Sequence, residues 1–177
     1  MSDAFFNYIP FYRYVSGIAH FTRFVEIGCY TGASCAFMTK QLVARKTPFE
    51  LYAVDLWDKV NAETDYDRII GAPIWQEFQA RLQRENLMEH VRVIQKESAL
   101  AAADFEDNSV DFAFVDANHT EPHVEADINA WLPKIRVGGM LSGHDYGEPC
   151  GVKAAVDRVL GGQVSLMGTC WYMFKRR

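Results

Sequence analysis

The sequence predicts an α/β protein: a doubly wound, mostly parallel seven-stranded sheet with a C-terminal antiparallel hairpin. Three observations predict it. Strand-like and helix-like segments alternate along the 177 residues, the pattern of a parallel sheet with helices on both faces. The first strand runs into a glycine-punctuated turn, Glu26-Ile27-Gly28-Cys29-Tyr30-Thr31-Gly32-Ala33-Ser34. Acids stand at or just beyond the ends of successive strands, where an open sheet keeps its ligand crevice.

Each element has a local reason. Residues 4–20 are aromatic-rich and predict a lead-in helix broken near Pro10. Strand 1 covers Arg23–Ile27, and a helix follows over Ser34–Arg45. Strand 2 covers Glu50–Val54 and ends at Asp55. Residues 57–72 are polar and irregular, longer than an ordinary connection, which predicts either a functional lid loop or a disordered segment. A helix covers about Pro73–Glu85, with Ile74, Phe78 and Leu82 on one face. Strand 3 is Val91–Ile94, with a short helix near Ala99–Phe105. Strand 4 is Val110–Val115 and ends at Asp116. Thr120 is placed to cap a helix over Glu121–Leu132, whose Val124, Ile128 and Trp131 face the sheet. Gly138-Gly139 turns the chain into strand 5, Met140–Gly143. A helix over Val152–Leu160 precedes two short strands, Val164–Met167 and Trp171–Phe174, close enough to pair.

Composition bounds the class. The chain is one domain in length, 1–177, with no repeat and no linker-like stretch. It is 49% hydrophobic and 23% charged, as globular proteins are, and its formal net charge is -5. That charge argues against non-specific nucleic-acid binding. No apolar run approaches the ~20 residues of a membrane span, and the N-terminus lacks the basic region of a signal peptide. Cys29, Cys35, Cys150 and Cys170 form no metal-binding spacing and read as free thiols. A cytoplasmic location is expected.

The glycine turn reads Gly-x-x-x-Gly. The Gly-x-Gly-x-x-Gly that cradles a pyrophosphate is absent, which disfavours NAD and suits a nucleoside without phosphates, such as S-adenosylmethionine (SAM). Asp55 is placed to take ribose hydroxyls, Glu97 and Ser98 to meet the adenine edge, and Trp57 to cover its face. Asp116 and Asp145 would project from neighbouring strands into one crevice. Two carboxylates that close repel unless a cation or a proton lies between them. Oxygen-rich sites suit Mg²⁺, Ca²⁺ or Mn²⁺. His144 as a third ligand would turn the preference toward Mn²⁺, Fe²⁺ or Zn²⁺. His119 is a candidate general base, its ordinary pKa lying near neutrality.

In this order the motifs Glu26-x-Gly28-x-x-x-Gly32, Asp55, Asp116-Ala117-Asn118-His119, Gly138-Gly139 and Gly143-His144-Asp145-Tyr146 resemble the class I SAM-dependent methyltransferases, from about residue 22 to 160. Within them the chain is most similar to the small group of macrolide-sugar O-methyltransferases and cephalosporin-biosynthesis methyltransferase-like proteins. The resemblance implies a Rossmann-like methyltransferase fold. It implies a divalent metal held by the acid ending strand 4 and the acidic pair ending strand 5, roles that Asp116 and Asp145 match. It also implies that His119 is the base. His144 departs from the pattern, standing where relatives often carry an acid and offering a neutral nitrogen instead. The catechol O-methyltransferases are more distant, with an asparagine at the place of Tyr146.

The expected cofactor set is Glu26, Gly28, Tyr30, Gly32, Ser34, Asp55, Trp57, Glu97, Ser98 and Asp116. His119 and Asp116 form the expected catalytic set, and Asp116, His144 and Asp145 the expected metal set. The expected activity is methyl transfer from SAM to a hydroxyl of a small molecule such as a sugar. Residues 1–20, the 57–72 loop and a second copy of the chain are the expected sources of the acceptor pocket. The rival reading is a SAM-binding scaffold without turnover.

Overall fold

Among the described residues, seven strands form one sheet: β1 (Arg23–Ile27), β2 (Glu50–Val54), β3 (Val91–Ile94), β4 (Val110–Val115), β5 (Ile135–Gly143), β6 (Ser165–Met167) and β7 (Cys170–Phe174). Their spatial order in the computed structural model is β3-β2-β1-β4-β5-β7-β6. The structure describes residues 6–57 and 74–177, so most of the expected 57–72 lid loop lies outside the described residues. The first five strands pair in parallel, and β7 runs antiparallel to both β5 and β6. The chain builds outward from β1 to β3, then returns to lay β4 against the other side of β1. Strand order reverses between β1 and β4, the position beyond whose strand ends open α/β sheets keep a ligand.

Alternation along the strands separates two cores. Phe24, Phe112 and Phe114 point to one face, where they meet α1 (Ile9–Ser16), α2 (Ala33–Ala44) and α3 (Ile74–Arg84) through Phe11, Tyr12, Met38, Leu42, Phe78 and Leu82. Val25, Ile27, Ala113 and Val115 point to the other face. There they meet α4 (Ser98–Ala102), α5 (Glu121–Trp131) and α6 (Val152–Leu160) through Ala101, Ile128, Trp131 and Val156. β4 is buried along its whole length, as a central strand covered on both faces should be. No helix among the described residues is long and apolar enough to cross a membrane.

Three local expectations are corrected. Pro10 starts α1 instead of breaking a longer helix, because it occupies the first turn, where its missing N–H costs nothing. β5 begins at Ile135, ahead of the Gly138-Gly139 pair. The pair lies inside the strand, where the register against β4 shifts between Val110 and Phe112, as at a β-bulge. Thr120 precedes α5 without a side-chain cap bond. Its hydroxyl lies 2.7 Å from Nδ1 of His123, and the Thr120 N–H donates to Asn118 Oδ1.

Candidate functional site

The ends of β4 and β5 gather four titratable groups. Asp116 follows β4 directly, and His144 and Asp145 follow β5, its neighbour. Asp145 adopts φ 58°, in the left-handed region that short polar side chains tolerate. His119 returns over the same point from the loop before α5. Its Nε2 lies 3.1 Å from Asp145 Oδ2 and 3.5 Å from Asp116 Oδ1. His144 Nδ1 lies 2.9 Å from Asp145 Oδ1 and 3.8 Å from Asp116 Oδ1. Asp116, His144 and Asp145 each offer an atom within 4.8 Å of the others'.

The electrostatics follow from the pairing. The Asp116 carboxylate, with Asp145 behind it, raises the His119 pKa above the ordinary imidazole value against the opposing effect of burial. Burial would lower His144, but Asp145 and Asp116 outweigh it and hold that ring above the ordinary value too. Burial likewise pushes Asp145 up, and the two histidines bring it below the usual carboxylate range. Partial burial removes part of the solvent screening and so strengthens these attractions relative to bulk water. His119 keeps 46% of its side chain exposed, so a ligand can reach it.

Helix α1 seals the near side. The Tyr8 hydroxyl donates to Asp116 Oδ2 at 3.0 Å, and the Tyr12 hydroxyl to Glu26 Oε2 at 3.1 Å. Ser34 reaches Glu26 Oε1 at 2.5 Å. Glu26, only 2% exposed, is pushed by burial to a pKa of about 8 against the pull of these bonds. Sequence reasoning missed Asn7, Tyr8, Tyr12 and Thr169. The i, i+4 spacing of Tyr8, the residue just before α1, and Tyr12 within it is the signal that could have found the tyrosines.

The glycine turn is shaped by its neighbours. Gly28 has φ 86°, and a Cβ there would stand 2.1 Å from the Asp116 carbonyl oxygen. Gly28 therefore lets β1 and β4 close at the switch point, so the required absence of a side chain serves backbone packing. Gly32, at φ 80°, makes the same kind of room for the Phe78 ring. It precedes α2 without a side-chain cap, leaving the first-turn N–H donors to a ligand or water.

Asp55 fastens this turn to β2. Oδ2 accepts from the N–H groups of Cys29 (2.7 Å) and Tyr30 (2.9 Å), and Oδ1 from that of Trp57 (2.8 Å). A ribose hydroxyl would share the carboxylate with these donors. Trp57 is 2% exposed. Its ring packs against Trp75 and Phe78, and its indole N–H donates to the Tyr30 carbonyl. The ring therefore lies in the core instead of open to the crevice. Glu97 is exposed and precedes α4. The Ser98 hydroxyl accepts from the Trp131 indole at 3.0 Å, beside Asp127, whose pKa burial raises to about 6. Glu97 and Ser98 thus form a second group, apart from the Asp116 cluster.

Comparison with known proteins agrees with the fold. An O-methyltransferase from Bacillus cereus, in complex with SAH, superposes with a TM-score of 0.68 at 15% identity, covering 99% of this chain and 82% of that one. An rRNA methylase from Streptococcus thermophilus gives 0.64 at 15% identity, covering 96% and 94%. These likenesses show the fold; the acceptors in the two names differ, and a fold does not choose an acceptor. Protein y4gI of Sinorhizobium fredii, uncharacterized, is 28% identical over 143 residues, 81% of this chain. The chain spans only 15% of the length of that curated relative. Residues 25–146, well over half of the chain and running from within β1 to the end of the Asp116 cluster, match a methyltransferase domain, and the chain belongs to that family.

Proposed function

We propose that this chain transfers the methyl group of SAM to a hydroxyl of a small molecule, a sugar or secondary metabolite, beside Asp116 and His119. One observation carries the reading: a half-exposed histidine and two carboxylates meet at the switch point of a methyltransferase sheet. The sequence around His144-Asp145-Tyr146 supports the narrower kinship with macrolide-sugar O-methyltransferases. Four free thiols suit a reducing cytoplasm.

The uncapped start of α2 fits the carboxylate of SAM, since unpaired N–H groups at a helix N-terminus favour an anion. Tyr30, Ser34, Glu26, Asp116, Asp55, Glu97 and Ser98 are the residues that would hold SAM. Bound there, SAM supplies an electrophilic methyl carbon. The chain's share is to hold the acceptor hydroxyl close to it, which is where much of such a rate comes from. Nε2 of His119 donates to the carboxylates of Asp145 and Asp116, so the acceptor proton passes to the other ring nitrogen, Nδ1. Asp145 and Asp116, on either side of Nε2, orient the ring and stabilise the imidazolium that forms.

The donor set also fits a divalent cation. Asp116 Oδ1, Asp145 Oδ1 and His144 Nδ1 converge, and the His144 Nε2 is occupied by other partners, as metal-binding histidines require. A cation held there supplies Lewis acidity that lowers the pKa of an adjacent hydroxyl.

Calorimetric titration with SAM and SAH, with and without Mg²⁺ or Mn²⁺, tests the reading. Micromolar binding of both is expected. No binding under any condition overturns it, and binding without turnover of any hydroxylated metabolite turns it toward the scaffold.

A further inference from the structure

We propose that Asn7 and Tyr8, the two residues before α1, are positioning residues of the cation site. Asn7 fixes the His144 ring through Nε2, and Tyr8 fixes the Asp116 carboxylate through Oδ2. The inference rests on the cation reading given above and assigns the N-terminal segment a part in it.

His144 Nε2 meets two oxygens, Asn7 Oδ1 at 2.9 Å and Thr169 Oγ1 at 2.7 Å. The side-chain carbonyl of Asn7 can only accept, so the ring nitrogen facing it carries a proton. That leaves Nδ1 as the atom turned to the two carboxylates. Tyr8 acts on the neighbouring ligand. Its hydroxyl engages Asp116 Oδ2, while Oδ1 of the same carboxylate faces His119 and His144. The Tyr8 ring is pinned by Phe114 at 4.8 Å and by His144 at 4.7 Å between centroids. One dipeptide therefore braces two of three candidate ligands, and it does so from the far end of the chain.

Both act through another residue, so neither is placed on a reacting atom. Partners of this kind typically change metal affinity about tenfold or more when removed. The test uses the apo chain and Mn²⁺ alone, with free Mn²⁺ followed by electron paramagnetic resonance. Tyr8→Phe keeps the packed ring and removes one oxygen. Tyr8→Phe and Asn7→Ala are each expected to weaken Mn²⁺ binding at least tenfold. Asn7→Asp, which keeps an acceptor on Nε2, is expected to restore it. Unchanged Mn²⁺ affinity in Tyr8→Phe and Asn7→Ala overturns the proposal, as does equal loss in Asn7→Ala and Asn7→Asp.

If the unmodified chain takes up no Mn²⁺ at millimolar concentration, the cation reading fails, and the ring itself then decides the positioning. Long-range ¹⁵N–¹H spectra are expected to show a shifted Nε2 resonance of His144 in Asn7→Ala, restored in Asn7→Asp. A ring indifferent to Asn7 overturns the proposal.

Discussion

Strand β4 carries an acid near each end, and the two are used in opposite ways. Asp111, near the start, accepts from the N–H groups of Thr22 (2.7 Å) and Arg23 (2.8 Å) and pairs with the Arg136 guanidinium. Burial pushes it up, but these donors and the guanidinium outweigh that and hold its pKa below the usual carboxylate range. Asp116, just past the end, has a phenol and two imidazoles for partners. The first acid is saturated by fixed donors and a permanent cation. The second is surrounded by groups that can give up, take or redirect a proton. The same residue type therefore locks the closed end of the sheet and leaves the open end chemically available.

The largest effect that would sharpen this contrast is at the open end. His119→Ala should lower methyl-transfer turnover by roughly 10²–10⁴-fold, the usual share of a general base, with little change in melting temperature. Near-normal turnover would remove His119 as the base.

At the closed end the order should invert. Asp111→Ala strands the Arg136 guanidinium and two backbone donors, and should destabilise the fold by about 3 kcal/mol without altering SAH affinity in the chain that remains folded. Denaturant unfolding measures it. A loss no larger than a surface substitution would mean that Asp111 and Asp116 do not differ as described.

A smaller effect concerns Glu26, the acid of β1 between these ends. Its pKa is 4.5 as a free side chain and about 8 in the fold. Between those values the folded chain holds a proton that the unfolded chain has lost, so stability falls as pH rises. Glu26→Gln has no such proton and should flatten the slope, gaining roughly 2 kcal/mol over the unmodified chain at pH 8. That is less than the full linkage, because a buried charge relaxes its surroundings. Parallel stability curves from pH 5 to pH 8 would contradict the buried, protonated Glu26.

Much of the framework was legible beforehand. β1 to β4 begin and end where their apolar runs and flanking acids placed them, because a fully buried parallel strand is itself a short apolar run. The grouping of Asp116, His119, His144 and Asp145 also followed, since residues after adjacent parallel strands share one edge of the sheet. β5 was read short. Its Gly138-Gly139 pair has the composition of a turn, and only pairing with β4 shows that the strand continues through it. Asp55 and Trp57 were read as candidate ligand contacts. The structure adds partners the sequence did not show: N–H groups of the glycine turn on the Asp55 carboxylate, and Trp75 and Phe78 against the Trp57 ring.

By itself, then, the sequence determined the alternation of elements, the place of the crevice and the acids at its rim, because these follow from periodicity and turn chemistry within a few residues. Only the tertiary structure decided which partners those acids take. Tyr8 reaches Asp116 across 108 positions, and Asn7 reaches His144 across 137. No local pattern encodes such pairs. They arise when α1 packs its aromatic face on the sheet and brings the first described residues over the last parallel strands. A hydrogen bond lasting inside that packing depends on both partners losing water together, which is a property of the folded whole.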